Sequence, residues 1–510
     1  MDNLTKLSIF QEKVGLAKAG GGEEKIKKQH DSGKKTARER MELLFDNGSF
    51  IEMGSLLMNR CSCKNESSYA DGVVAGYGTV NGRLVYAYAQ DFTVLSGSLS
   101  EMNAEKIAKV YEMAMKVGAP VVSMIDCAGI RLYEGLDALC SYNNVMKKAV
   151  EASGLVPQIS IILGACAGSM TFIPAVSDFV IMVDKISEMY ITSKEVLKGV
   201  NNESDENFPN AQFNAKAGAC DVVCATEEEA FVNAKELLSY LPSNYLEDMF
   251  VEEVTDDFNR QANDIINIIP QDDKTGFDVK DIIKTVADNY TFFEVGSLYA
   301  KNMVTGFIRL GGITVGVVAN QSLEENGVIN NLAAKKAASF ISKCDSFGIP
   351  LLSFTDSEGF EVSLADEKWG MINDVAKLGF AFADASVAKV NVILRKAYGA
   401  AYLYMNSKQM GADLVYALPT AVITGATPEV ALNMLCEEEV KASEDPVKAR
   451  EEIIEKYKNE VASPYMAAKR GYIDDVINPA DLRPVLVSAF DVLMTKREDI
   501  VDKKHGNLPV

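Results

Sequence analysis

Four short turns of small residues are the first candidates for chemistry: Cys127-Ala128-Gly129, Ala167-Gly168-Ser169, Glu358-Gly359 and Gly399-Ala400-Ala401. Each follows an apolar, β-rich run, so each is predicted at the carboxyl end of a strand, where open α/β sheets bind ligands. Small residues let a substrate approach the backbone closely. Two N–H groups from two turns can converge on one carbonyl oxygen, and a helix starting just after a turn adds its dipole. Each such donor stabilises a developing oxyanion by about 3 kcal/mol. Helix–strand packing also selects small residues, so one turn alone decides nothing. Four turns in two matched blocks point to two similar pockets, each holding an acyl- or ureido-type carbonyl.

Other side chains narrow the chemistry. The chain has two histidines, His30 and His505, both near the termini. A histidine base is therefore not expected, which removes Ser-His-Asp and Cys-His catalysis. Nine cysteines are scattered, the nearest pairs being Cys61-x-Cys63 and Cys220-x3-Cys224. They read as reduced thiols rather than as a zinc site. Asp126 and Asp356 close strands and are read as caps, not bases. Arg131 and Glu134 either contact substrate or pair with each other across a turn. Arg395 and Lys396 precede the last turn and could steer a negative group. The run GKKTARER (33–40) supplies Lys34, Lys35, Arg38 and Arg40. It either meets nucleotide phosphates or forms a charged amphipathic helix.

The elements that must position these turns come as a duplication. AEKIAKVYEMAMKVGAPVVSMIDCAGI (104–130) matches AKKAASFISKCDSFGIPLLSFTDSEGF (334–360) at an offset of 230, with Lys106 on Lys336, Asp126 on Asp356 and Gly129 on Gly359. VPQISIILGACAG (156–168) matches VAKVNVILRKAYG (387–399) at an offset of 231. Upstream, GYGTVNGRLVYAYAQD (76–91) and GFIRLGGITVGVVANQ (306–321) each read as two strands around a glycine turn. Alternating strands and helices imply two homologous α/β domains, 1–255 and 256–510, joined through an acidic stretch within 237–261.

One triplet, Ala114-Met115-Lys116, matches the core of a biotin-attachment site. Ile107, Val110, Tyr111 and Ala114 form a helical stripe that Lys116 lies off, and its repeat counterpart is Ser346. A carrier lysine needs an exposed hairpin tip on a mobile domain, so Lys116 is expected on an ordinary solvated helix. The net charge of −21 over 510 residues argues against a nucleic-acid scaffold. The sequence lacks a run of about 18 apolar residues and its opening lacks signal-peptide architecture, so a cytoplasmic protein with no membrane span is expected.

At these stretches the sequence resembles the carboxyltransferase subunits of biotin-dependent acyl-CoA carboxylases of the propionyl-CoA type. It equally resembles those of methylmalonyl-CoA and glutaconyl-CoA decarboxylases. TARERMELLFDNGSF, DGVVAGYGTVNGR, LVPQISIILGACAG and RKAYGAAY carry the likeness, which spans nearly the whole chain. The resemblance implies two crotonase-like (ββα superhelix) domains, an acyl-CoA side in the N-terminal half and a biotin side in the C-terminal half. It implies a homo-hexamer whose sites form between the N-terminal half of one subunit and the C-terminal half of another. Biotin would arrive on a separate carrier protein, with a biotin carboxylase or a membrane decarboxylase subunit as further partner. No metal is implied.

Carried over residue by residue, the acyl-side donors fall at Gly168 and Ser169, with Ala128 and Gly129 opposite. The biotin-side donors fall at Ala400 and Ala401, with Gly359 and Phe360 opposite and Tyr398 and Gly399 beside them. Arg38, Arg40, Phe92, Ser98, Arg131 and Leu403 are assigned to substrate. Leu403 stands where the family has an aspartate that influences acyl selection. The family's Asp-Ser-Gly-Gly-Ala-Arg reads Asp126-Cys127-Ala128-Gly129-Ile130-Arg131, and its Cys-Ala-Gly-Gly reads Cys166-Ala167-Gly168-Ser169. Residues 200–220 lack the family's Gly-Gly and histidine-containing stretch. Beside the carboxylase and decarboxylase readings stand a catalytically altered assembly subunit and a biotin-independent hydrolase or isomerase.

Overall fold

The computed structural model describes residues 2–60, 69–248, 251–498, 506, 507 and 509. Cys61, Cys63 and His505 lie outside them. The chain divides into two units, Met1–Asp248 and Met249–Val510. The division falls earlier than the 255/256 boundary read from sequence. Its reason is local: Glu252 N–H donates to the Gly312 carbonyl at 3.0 Å, and its carboxylate meets Arg309 at 2.6 Å, so this stretch packs on the second half.

Among the described residues of the first unit there is one eight-stranded sheet. Its strands are β1 (Ile51–Glu52), β2 (Val73–Val80), β3 (Arg83–Gln90), β4 (Val121–Cys127), β5 (Gln158–Ala167), β6 (Phe179–Val183), β7 (Glu188–Tyr190) and β8 (Val222–Cys224). They run in the order β1-β2-β3-β4-β5-β6-β8, with β7 on the tip of β5. The β1-β2-β3 edge is antiparallel and the remainder parallel. The β2–β3 hairpin turns at Asn81 and Gly82, both at positive φ (50° and 79°), as a twist-matched two-residue turn needs. β4 is buried along its whole length, as a parallel strand covered on both faces should be.

The helix Glu101–Val117 opens on a Ser100/Asn103 capping box and stops at Gly118, which is left-handed at φ 65°. It buries Ile107, Val110, Tyr111 and Ala114, and packs against the helix Leu136–Ala152. Lys116 is exposed on it.

The second unit repeats the plan with β9 (Phe293–Val295), β10 (Met303–Leu310), β11 (Ile313–Asn320), β12 (Leu351–Ser357), β13 (Lys389–Tyr398), β14 (Leu414–Ala417), β15 (Val422–Thr424) and β16 (Asp475–Val476). Their order is β16-β14-β13-β12-β11-β10-β9, with β15 on the tip of β13. Its hairpin turns at Gly311 and Gly312, again both at positive φ (60° and 82°). Val315, Val317, Leu352, Phe354, Val390 and Val392 stack across the central strands to form its core.

Both sheets break register at the same place. Ile125 pairs with Ile162 but Cys127 with Cys166, and Thr355 pairs with Ile393 but Ser357 with Ala397. Beyond these extra residues the tips of β5 and β13 still meet β4 and β12, but on their other edge they pair with β7 and β15 in place of β6 and β14. This bulge aims the small-residue turns that follow.

Candidate active site

Four retained glycines of the turns have backbones that disfavour any other residue. Gly129, Gly168, Gly359 and Gly399 lie at φ 104°, 63°, 143° and 65°. Ala128, Ser169, Ala400 and Ala401, which replace or flank family glycines, are not among the positive-φ residues. A Cβ on Gly168 would touch nothing within 4 Å, and one on Gly399 would meet only the Gly425 carbonyl at 3.7 Å. Both turns therefore face open space. Gly168 begins a 3-10 turn (Gly168–Thr171) and Gly399 begins the helix Gly399–Tyr404. The first N–H groups of each lack an intrahelical acceptor.

The turns after β4 and β12 are locked differently. Leu99 N–H donates to the Gly129 carbonyl and Ile329 N–H to the Gly359 carbonyl, both at 3.0 Å. Cys127 Sγ and Ser357 Oγ each accept from the glycine N–H two residues on, at 3.3 Å. Ala128 N–H donates to the Ser96 carbonyl at 3.1 Å. These commitments correct the assignment of Ala128, Gly129 and Gly359 as free donors. The N–H groups of Ile130 and Phe360 point away from their bridges to residues 99 and 329. Ile130 was passed over in the sequence; its repeat relation to Phe360 was the available signal.

Behind the first turn lies a buried charge cluster. Asp126 accepts from Gln29 Nε2 (3.0 Å), Lys34 Nζ (3.0 Å) and Arg40 Nη1 (3.1 Å). Arg40 also grips Glu227 at 2.8 and 2.9 Å and the Leu163 carbonyl at 2.8 Å. Its side chain is 0% exposed. Arg38 forms a two-point pair with Glu52 at 2.7 and 3.1 Å, and Lys35 meets Glu228 at 2.7 Å. The basic run is thus paired with carboxylates within the unit. In the second unit Asp356 is held instead by Arg395 (3.1 Å) and by Lys396 N–H (2.9 Å).

Arg131 is likewise internal. It binds Asp71 at 2.7 Å, Glu134 at 3.0 Å and Ser98 Oγ at 3.2 Å, with 1% of its side chain exposed. Of the two sequence readings, the structure shows the pairing with Glu134. Burial pushes the Asp71 carboxyl up, against the pull of Arg131. Phe92 is half-buried with the Lys34 ammonium 4.2 Å over its ring.

On the second unit, Gly399, Ala400 and Leu403 line a cleft of about 530 Å³ with Thr424, Tyr457 and Arg470. Leu403 is 39% exposed at its rim, whereas Ala401 and Tyr398 are buried. Burial pushes the Tyr402 phenol up to about 12, and its hydroxyl is without a partner. His30 pairs with Glu39 at 3.0 Å. Among the described residues, no three of His, Cys, Asp or Glu are placed to hold a metal ion.

Two homologous α/β units each present a glycine turn to open space at a bent strand tip. A family model described as Carboxyl transferase domain matches residues 28–508. The carboxyltransferase subunit of propionyl-CoA carboxylase from Haloferax mediterranei is 43% identical over 99% of each chain. Methylmalonyl-CoA decarboxylase subunit alpha from Veillonella parvula is 41% identical over 99% of each. The solved transcarboxylase 12S, a hexamer with methylmalonyl-coenzyme A bound, superposes with a TM-score of 0.97 at 40% identity, covering 100% of this chain and 99% of that one. The chain belongs to the carboxyl transferase domain family and is a carboxyltransferase with two crotonase-like domains. Among the described residues, no helix is long and apolar enough to cross a membrane.

Proposed function

We propose that this chain moves a carboxyl group between carboxybiotin, borne on a separate carrier protein, and the α-carbon of a short-chain acyl-CoA. The observation that carries this reading is the pair of glycine turns at matching register in the two units, each at positive φ and each facing open space. The N–H groups of Gly168 and Ser169, with that of Ile130 opposite, hold the thioester oxygen as it gains negative charge. The N–H groups of Gly399 and Ala400, which the repeat matches to Gly168 and Ser169 and which replace the Ala400 and Ala401 pair expected from the sequence, hold the ureido oxygen with that of Phe360 opposite. Loss of CO2 leaves negative charge on the ureido oxygen, and these backbone donors stabilise it at the cleft lined by Ala400, Leu403 and Tyr457. Carboxybiotin supplies the CO2 and, once decarboxylated, the base that takes the α-proton. The chain therefore needs no histidine of its own. It positions two carbonyls and supplies backbone donors where charge develops.

The working form is a homo-hexamer in the cytoplasm, its sites built from the N-terminal half of one copy and the C-terminal half of another. A biotin carboxyl carrier protein and a biotin carboxylase complete a carboxylase. A second reading, transfer from a malonyl-type ester to biotin beside a membrane decarboxylase subunit, is favoured by the likeness to the Veillonella protein. The test is decarboxylation of malonyl-CoA, methylmalonyl-CoA and glutaconyl-CoA, each with and without free biotin. Biotin-dependent turnover of at least one ester is expected. Turnover that ignores biotin, or none with any ester, sinks the transferase reading.

A further inference from the structure

The Gly168–Thr171 turn is held by two side-chain hydroxyls that the reaction above does not use. Thr171 Oγ1 donates to the Gly168 carbonyl at 2.8 Å, and Tyr142 Oη donates to the Ser169 carbonyl. Thr171 and Tyr142 are 7% and 2% exposed, so water competes little for either bond. A peptide unit is planar and trans, so fixing its carbonyl fixes the N–H on its far side. The Gly168 carbonyl shares its plane with the Ser169 N–H, and the Ser169 carbonyl shares its plane with the Met170 N–H.

The first unit needs these clamps and the second does not. A 3-10 turn has poorer hydrogen-bond geometry than an α-helix, and Gly168 at φ 63° has no side chain to anchor it. In the second unit Gly399 opens directly into an α-helix whose own ladder holds the backbone. There the residue matching Thr171 is Tyr402, whose hydroxyl bonds nothing.

We propose that Thr171, supported by Tyr142, is a positioning residue that aims the Ser169 N–H at the thioester oxygen. This rests on the oxyanion reading of Gly168 and Ser169 given above. Thr171 acts through the peptide it pins, not on the substrate.

Thr171→Val keeps the shape and removes the hydroxyl, whereas Thr171→Ser keeps the hydroxyl. In the biotin-dependent decarboxylation assay, Thr171→Val is expected to lower kcat about tenfold with KM within about twofold. Thr171→Ser stays within about twofold of wild type. Tyr142→Phe lowers kcat in the same sense, and carries the test if Thr171→Val fails to fold. A conjugated enoyl-CoA bound without turnover gives a second readout, because a well-aimed donor shifts its absorption to longer wavelength. That shift shrinks in Thr171→Val. Unchanged kcat in Thr171→Val, or an equal loss in Thr171→Ser, overturns the proposal. Gly168→Val, assayed alongside, separates the two levels. If it is fully active, the oxyanion reading has failed and this inference falls with it. If it is inactive while Thr171→Val is normal, only the positioning role is lost.

Discussion

A Cβ on Gly164 would lie 2.0 Å from Asp126 Oδ1, inside the carboxylate that Gln29, Lys34 and Arg40 hold. The repeat sets Arg395 opposite Gly164, and Arg395 itself neutralises Asp356. One unit takes its cation from the neighbouring strand; the other leaves a gap there and brings cations in from residues 34 and 40. Gly164→Ala is therefore expected to destabilise the first unit by about 3 kcal/mol, since the pinned carboxylate cannot retreat. Chemical denaturation would measure it, and a change below 1 kcal/mol, about the cost of a tolerated core swap, would contradict it. Arg40→Met takes the buried cation from Glu227 and one of three side-chain partners from Asp126, and should cost about 3–5 kcal/mol. If Arg40 is scaffold, the KM for acyl-CoA in the folded fraction stays put; a raised KM with normal stability would restore it to the substrate. The sequence shows which turns are small, but not why some glycines persist. Positive φ at Gly129, Gly168, Gly359 and Gly399 is the reason, and Ala or Ser appears beside them where φ is ordinary. The pairing of the run 33–40 was not legible for a related reason: the partners of Arg40 lie 86 and 187 residues away, beyond any local pattern.

At the scale of elements the duplication was legible because each repeated residue does the same backbone task. Gly97 and Gly327 lie under the Asp126 and Asp356 carbonyls, where a Cβ would come within 2.2 and 2.3 Å. Lys106 and Lys336 send their ammonium groups into the hairpin end, onto the Val73 carbonyl in one unit and those of Gly296, Tyr299 and Met303 in the other. The register break and the change of partner at each strand tip were not legible, since no residue type marks them. Burial pushes Lys106 down to about 8. Between that pH and about 10.4, the unfolded chain holds a proton that the folded chain has released, so stability rises with pH across this window. Below it the deficit of about 3 kcal/mol is fully present. Wild type minus Lys106→Met isolates this effect, because the buried thiols, such as Cys127 pushed up to about 11, are common to both. That difference should grow in favour of wild type from pH 8 to 10; a flat difference would refute the assignment. The same helix settles Lys116: exposed on regular helix rather than at a hairpin tip, it should give no band on a streptavidin blot of the purified chain.

For the whole molecule, the proposed arrangement makes a demand that neither unit can meet alone. In the proposed function each unit carries one glycine turn, one for the thioester and one for the ureido group, and the proposed hexamer puts the two halves of a site on different copies. Gly168→Val and Gly399→Val should each abolish biotin-dependent turnover, because a branched side chain at positive φ both strains the turn and fills the space before it. Mixed assemblies of the two variants behave differently under the two possible geometries. If a site takes both turns from one chain, every site contains a dead turn and mixing restores nothing. If a site takes one turn from each of two copies, half of random pairings are mixed, and each mixed pair has one site with both turns intact. Co-expression should then recover about a quarter of wild-type activity. The recovered activity should depend on biotin and show the wild-type KM, because the rebuilt sites are unaltered. Absence of recovery, in co-expressed protein that light scattering shows to be assembled, would place both halves of the site within one chain.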